Sequence, residues 1–158
     1  MLAEKIISLL RERRQTLVLA ESCTAGLVSD AIASVPGASD VFWGAFVVYT
    51  VAAKRKVLGI PQELIDNFGA VSRECAMAMS ELALSKSEAD IAAAVTGHAG
   101  PPGPSSPPAL TGTIWIAVCK RGGLPQAALC QYKGTRNKIR RAAANALLEK
   151  ILAEIAPS

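Results

Sequence analysis

The sequence of 158 residues predicts an α/β fold, a three-layer α/β/α sandwich around a mixed sheet, in a single domain spanning residues 1–158. Three observations carry that expectation. Short continuous apolar runs of strand length, such as LVLA at 17–20 and IAAAV at 91–95, are of the kind buried on both faces of a parallel sheet. They alternate with segments of helical periodicity, the order that stacks helices onto a sheet. Near the C-terminus two strand-like runs face each other across Arg121-Gly122-Gly123, which adds an antiparallel hairpin. With 51% hydrophobic residues the chain can bury a full core without a disulfide or metal staple.

Residues 2–14 set Ile6, Ile7, Leu9 and Leu10 among charges as an amphipathic first helix, and the strand 17–20 follows. Residues 24–34 carry Leu27, Val28, Ala31 and Ile32 at helical spacing, ended by Pro36-Gly37. The aromatic and β-branched run 41–50 is a strand with a bulge or close approach at Gly44. Residues 52–58 and 62–67 are short helices, separated by Gly59-Ile60-Pro61, the second ending near Gly69. Ser72 opens the central helix 73–85, with Met77, Met79, Leu82 and Leu84 among alanines. The small-residue strand 90–96 runs into a proline-laden loop, HAGPPGPSSPPAL, which reads as a functional loop at a strand end. Strands 112–118 and 127–132 form the hairpin, and Thr135 caps a final amphipathic helix over 137–155. The loops after Ala20, Thr50, Thr96 and Tyr132 are expected to converge on one edge of the sheet.

A formal net charge of +4 does not point to nucleic acid: the basic residues are dispersed, and 4% aromatics offer no stacking platform. A small anionic ligand suits the basic clusters as well. Cys23, Cys75, Cys119 and Cys130 are widely spaced without a C-x-x-C pair, so neither a zinc site nor a disulfide framework is indicated. No apolar run reaches membrane-spanning length and the N-terminus lacks signal-peptide features. A soluble, cytoplasmic protein with reduced thiols is expected. The apolar faces of the first and last helices lead us to expect a homo-oligomer.

A lone histidine and scattered acids argue against a metal centre, and nucleotide fingerprints such as G-x-x-x-x-G-K-[ST] are missing, so no cofactor is expected. Ser22 stands where a strand feeds a helix, next to unpaired backbone amides that favour an oxyanion. It reads either as a nucleophile or, with Thr24, as a simple N-cap. As base, His98 would serve a triad, and Lys54 a Ser-Lys arrangement if desolvated among its apolar neighbours. Cys23 is a rival nucleophile. Gly134-Thr135-Arg136 is a phosphate site or a capped turn.

The segments LAESCTAG (19–26), FVVYTVAAK (46–54), LGIP (58–61), GAVS (69–72), TGHAGP (96–101), GTIWIAV (112–118) and GTRNKIR (134–140) together resemble the CinA C-terminal domain family. This family is also called the competence/damage-inducible protein family, and its active members are nicotinamide mononucleotide deamidases. The resemblance runs in order along nearly the whole chain. It implies hydrolysis of nicotinamide mononucleotide to nicotinate mononucleotide and ammonia, without a metal, with a small-molecule nucleotide as the substrate. By motif, Ser22 would be the nucleophile and Lys54 its base, with Tyr49 and Thr96 completing the catalytic set. Arg136 would hold the phosphate, with Thr24, Gly97 and Gly134 beside the substrate. The chain departs from the family pattern at Ala25, usually glycine, and at Val51, usually asparagine. It departs again at His98, usually apolar, and at the prolines over 102–108, usually a glycine-rich run. The departures at Val51 and in the proline loop favour the alternative of a weak or inactive paralogue that binds a nucleotide or a protein.

Overall fold

The computed structural model describes residues 1–104 and 106–157; Ser105, inside the proline loop, and the terminal Ser158 lie outside the described residues. Five strands, β1 (Leu17–Glu21), β2 (Phe42–Val47), β3 (Ile91–Gly97), β4 (Thr113–Lys120) and β5 (Gln126–Gln131), form one sheet in the order β2-β1-β3-β4-β5. β1 pairs in parallel with both β2 and β3, while the β3/β4 and β4/β5 pairs are antiparallel. The sheet is therefore mixed, as expected.

Alternation along the central strands explains why they read as unbroken apolar runs. Leu17 and Leu19 point into a core shared with α1 (Leu2–Arg13), α2 (Leu27–Ala33) and α6 (Arg136–Ile155), where Ile6, Leu10, Ile32 and Leu147 are also buried. Val18 and Ala20 point the other way, to a core with α5 (Arg73–Ser85) in which Cys75, Met79, Ala92 and Ala94 pack. Alanines at 92 and 94 allow α5 a close approach to the sheet. The cap predicted at Thr135 is present, its Oγ1 accepting from the Lys138 amide at 3.4 Å, and Ser72, which opens α5 as expected, caps it by accepting from the Cys75 amide at 3.1 Å. The irregularity at Gly44 is a register shift in which Leu17 faces Phe42 and Val18 faces Gly44, leaving Trp43 as the extra residue. Trp43 then stacks on Phe46 and its indole donates to Glu88 at 2.7 Å.

The helix expected from residue 24 begins only at Leu27. The reason is Glu21, whose carboxylate is 0% exposed. It accepts from the Thr24 hydroxyl at 2.6 Å, the amides of Gly26, Val28 and Ser29 at 3.2, 3.0 and 2.9 Å, and the Ser29 hydroxyl at 2.5 Å. Glu21 thus takes the capping role that position suggested for Ser22 or Thr24, and residues 22–26 become a turn closed by Ala25 N–H donating to the Ser22 carbonyl at 3.0 Å.

From β1 the chain crosses to β2 on one side and later to β3 on the other, so the carboxyl ends of three parallel strands lie side by side. In open α/β sheets that switch point is where ligands bind. Among the described residues no helix is long and apolar enough to cross a membrane.

Ala25 carries φ 46°, a left-handed conformation. For a residue with a Cβ this costs about 1–2 kcal/mol, against about 0.5–1 kcal/mol of extra chain entropy lost by glycine. Ala25→Gly should therefore raise stability by about 0.5–1 kcal/mol in urea unfolding. A decrease would show that the turn stores no strain there.

Candidate active site

The loops after β1, β2 and β3 and the start of α6 meet around a cavity of about 490 Å³, within the range of small-molecule sites. Ser22 follows the last residue of β1 and is held by its amide, which donates to the Val95 carbonyl at 3.1 Å. The Lys54 Nζ lies 2.8 Å from the Ser22 Oγ and donates also to the Val48 carbonyl at 3.3 Å. The Ser22 hydroxyl has the Tyr49 carbonyl as a further acceptor at 3.4 Å.

Local sequence places Lys54 there. The Thr50 hydroxyl caps α3 (Val51–Ala53) by accepting from the Ala53 amide at 3.1 Å, and at Lys54 the helix widens into a π turn that runs to Leu58. Such turns recur at functional sites. Leu58 and Ile60 anchor its far end in the core. Lys54 is only 3% exposed. That burial pushes its pKa below the usual lysine value, with electrostatic interaction with the Cys75 and Cys23 thiols opposing the shift. An amine so shifted is neutral more often at moderate pH and can accept the serine proton across 2.8 Å.

The alternatives left open by sequence separate at this point. Among the described residues no hydrogen bond joins His98 to Ser22. The imidazole lines the cavity, and desolvation together with the nearby Lys54 charge lowers its pKa. Cys23 is buried, which pushes its thiol up to about 11 and keeps it protonated. Its sulfur lies against Gly97, where an added Cβ would come within 3.3 Å of the Cys23 Sγ and 2.3 Å of the Ile114 Cδ1. An added Cβ would also come within 2.9 Å of the Thr113 carbonyl oxygen, so the tightest constraint at this position comes from β4.

Tyr49, Thr96, Gly97 and Arg136 also line the cavity. The Thr96 hydroxyl donates to the Ala70 carbonyl at 2.8 Å, tying the end of β3 to the approach of α5. The Arg136 guanidinium crosses the mouth, donating to the Gly100 carbonyl at 2.6 Å and to the Tyr49 hydroxyl. Two residues expected beside a substrate do not line the cavity. Thr24 is fully buried with its hydroxyl turned to Glu21, and Gly134 sits outside the wall, in the bend before α6.

Helix-start amides were expected to serve as oxyanion donors, but those of α2 are taken by Glu21. The Cys23 and Thr24 amides, by contrast, donate to no group among the described residues. Sequence reasoning also missed Ser106, whose hydroxyl is buried in the cavity wall with no partner among the described residues. Its only signal was its place in the proline loop. Among the described residues no group of His, Cys, Asp and Glu gathers as a metal-ligand set.

A family model described as the CinA C-terminal domain matches residues 1–155. A CinA-like protein of Thermotoga neapolitana is 38% identical over 148 residues, 94% of this chain and 36% of the relative. One of Akkermansia muciniphila is 38% identical over 151 residues, 96% of this chain and again 36% of the relative. The chain thus spans little more than a third of the length of these curated relatives. Among solved structures, a competence/damage inducible protein from Agrobacterium tumefaciens superposes with a TM-score of 0.89 at 37% identity, covering 96% of this chain and 92% of that one. A competence or damage-inducible protein from Enterobacter asburiae gives 0.92 at 28%, covering 98% and 96%.

Burial of Lys54 has a thermodynamic sign. The unfolded chain binds more protons than the folded one between the lowered folded pKa and the ordinary value of 10.5, so this residue makes stability rise with pH across that interval. Lys54→Met, apolar and of similar length, should raise the melting temperature at pH 7, by an amount that shrinks as pH approaches 10.5. Thermal unfolding of both proteins from pH 7 to 10.5 checks this. A constant difference would mean that burial does not disfavour the ammonium.

Proposed function

The chain belongs to the CinA C-terminal domain family, and from that premise we propose that it is a Ser-Lys amide hydrolase converting nicotinamide mononucleotide to nicotinate mononucleotide and ammonia. The observation that carries the reading is the 2.8 Å contact between the Ser22 hydroxyl and the buried Lys54 amine at the floor of a nucleotide-sized cavity.

The Ser22 Oγ attacks the carboxamide carbon while its proton passes to the neutral Lys54 amine. The charge that develops on the carboxamide oxygen meets the Cys23 amide, which lines the cavity and is free of other partners among the described residues. Lys54 then returns the proton to the departing nitrogen, which leaves as ammonia and a Ser22 ester remains. A water molecule, deprotonated by Lys54, attacks the ester and releases the nicotinate product and free Ser22. Arg136, at the mouth and half committed to backbone, is the anchor for the phosphate: a guanidinium fork matches its oxygens. The His98 ring, its pKa lowered by desolvation, and the Ser106 hydroxyl, without a partner among the described residues, offer hydrogen bonds to the polar body of the substrate.

A second reading is a nucleotide-binding protein of weak or absent activity. Val51 favours it: this exposed cavity residue offers no hydrogen bond, and the prolines around Gly103 remove backbone donors from the opposite wall. Ammonia release from nicotinamide mononucleotide decides between the two. The hydrolase reading expects release that Ser22→Ala abolishes and that Lys54→Ala lowers by about 10²–10⁴-fold. No release above the Ser22→Ala background leaves the binding reading, measured as ligand affinity by calorimetry. Arg136→Ala should raise KM by about 10- to 100-fold, the range for one lost charge-assisted contact, with a much smaller change in kcat. A loss confined to kcat would remove Arg136 from phosphate binding.

A further inference from the structure

The turn that carries Ser22 is gripped by a side chain outside the cavity. Arg140 lies one helical turn beyond Arg136 on α6 and is half buried. Its Nε donates to the Cys23 carbonyl at 2.9 Å and its Nη2 to the Thr24 carbonyl at 3.1 Å, while Nη1 is steadied by the Asn137 Oδ1 at 3.2 Å. Among the described residues no carboxylate forms an ion pair with this guanidinium. Its charge falls on two peptide carbonyls of the turn.

Which peptide units those are gives the contact its meaning. The Thr24 carbonyl belongs to the same unit as the Ala25 N–H, and in a trans peptide the two point in opposite directions. A cation hydrogen-bonded to the oxygen draws electron density along the unit, so its N–H becomes a stronger donor. That N–H closes the turn onto the Ser22 carbonyl at 3.0 Å. Glu21 meanwhile holds the Thr24 hydroxyl from the other side at 2.6 Å. The turn is thus fixed by a carboxylate on its side chain and amides and by a guanidinium on its carbonyls.

We infer that Arg140 is a positioning residue for the nucleophile: through the Cys23 and Thr24 carbonyls it locks the turn that carries Ser22, and so holds Ser22 and the Cys23 amide in place for attack. This deepens the hydrolase reading and rests on Ser22 as its nucleophile. Arg140 does not line the cavity and takes no part in holding substrate.

The test uses Arg140→Met and Arg140→Lys with two readouts. One is kcat and KM for nicotinamide mononucleotide. The other is the rate at which a small fluorophosphonate labels Ser22, which also builds charge on an oxygen at the nucleophile but needs no nucleotide recognition. Arg140→Met should lower kcat by about 10- to 100-fold, less than the loss of an oxyanion donor outright, leave KM within about twofold, and slow labelling by the same factor as kcat. Arg140→Lys, which keeps the charge but not the two-carbonyl fork, should recover part of both losses. The pH midpoint of labelling should not move, since Lys54 is untouched. Labelling of folded Arg140→Met at the wild-type rate, a loss confined to KM, or a shifted midpoint overturns the inference. If Arg140→Met does not fold, Arg140→Lys labelled at the wild-type rate does the same. Wild-type protein that is labelled but releases no ammonia removes the substrate assignment and leaves the labelling comparison to decide Arg140. Wild-type protein that is not labelled has no activated serine, and the inference falls with it.

Discussion

An amine kept out of water next to a serine is the constraint around which the site is built. Lys54 is 3% exposed, and its partners are the Ser22 hydroxyl and the Val48 carbonyl. Among the described residues no carboxylate pairs with it. A buried ammonium without a counter-charge is expensive, and the group escapes the cost by releasing its proton more readily. The feature that lowers stability is therefore the one that makes a base. It persists because its surroundings are fixed independently: the Val48 amide donates to the Glu21 carbonyl at 2.8 Å, Thr50 caps the helix, and Leu58 and Ile60 are sunk in the core.

The same economy governs where negative charge is welcome. A short helix start after a strand would ordinarily attract an anion, but at α2 the protein supplies its own in Glu21. Those amides are spent on structure. What remains on the turn at 22–26 is the Cys23 amide, on a segment whose Cys23 and Thr24 carbonyls are drawn to Arg140. Two charged side chains that do not line the cavity thereby hold the turn that carries Ser22.

The legible part of this protein was whatever a periodic pattern or a single local bond determines. The two-sided apolar strands, the helix start at Ser72, the cap at Thr135, and the irregularity beside Gly44 all follow from local rules, and all are present. The convergence of the strand-end loops followed from parallel topology, and it brings Ser22, Tyr49, Lys54, Thr96 and Arg136 together. The misses share a cause. Thr24 leaves the cavity, and α2 starts late, because Glu21 turns inward across five hydrogen bonds to the segment that follows it. An acid at the end of an apolar strand was the visible trace, but its targets lie up to eight residues on. Arg140 reaches back 117 residues to Cys23, and no local pattern announces such a contact.

Charge in the cavity bears on which ligand it favours. Lys54 and Arg136 line it, and among the described residues no aspartate or glutamate does. A doubly cationic cavity would repel the pyridinium of nicotinamide mononucleotide while attracting its phosphate, and Coulomb repulsion over a few ångströms at the low effective dielectric of such a site is a matter of about a few kcal/mol. The two demands are compatible if the cation near the ring is the one that is easily lost. Arg136 stays charged at any accessible pH and stands at the mouth, where a phosphate would lie. Lys54, at the floor, is already biased toward the neutral amine by burial, and an arriving pyridinium would bias it further. On the proposed substrate, then, binding and base formation reinforce each other: the ring is tolerated to the extent that Lys54 has given up its proton, and in that state Lys54 can take the proton of Ser22.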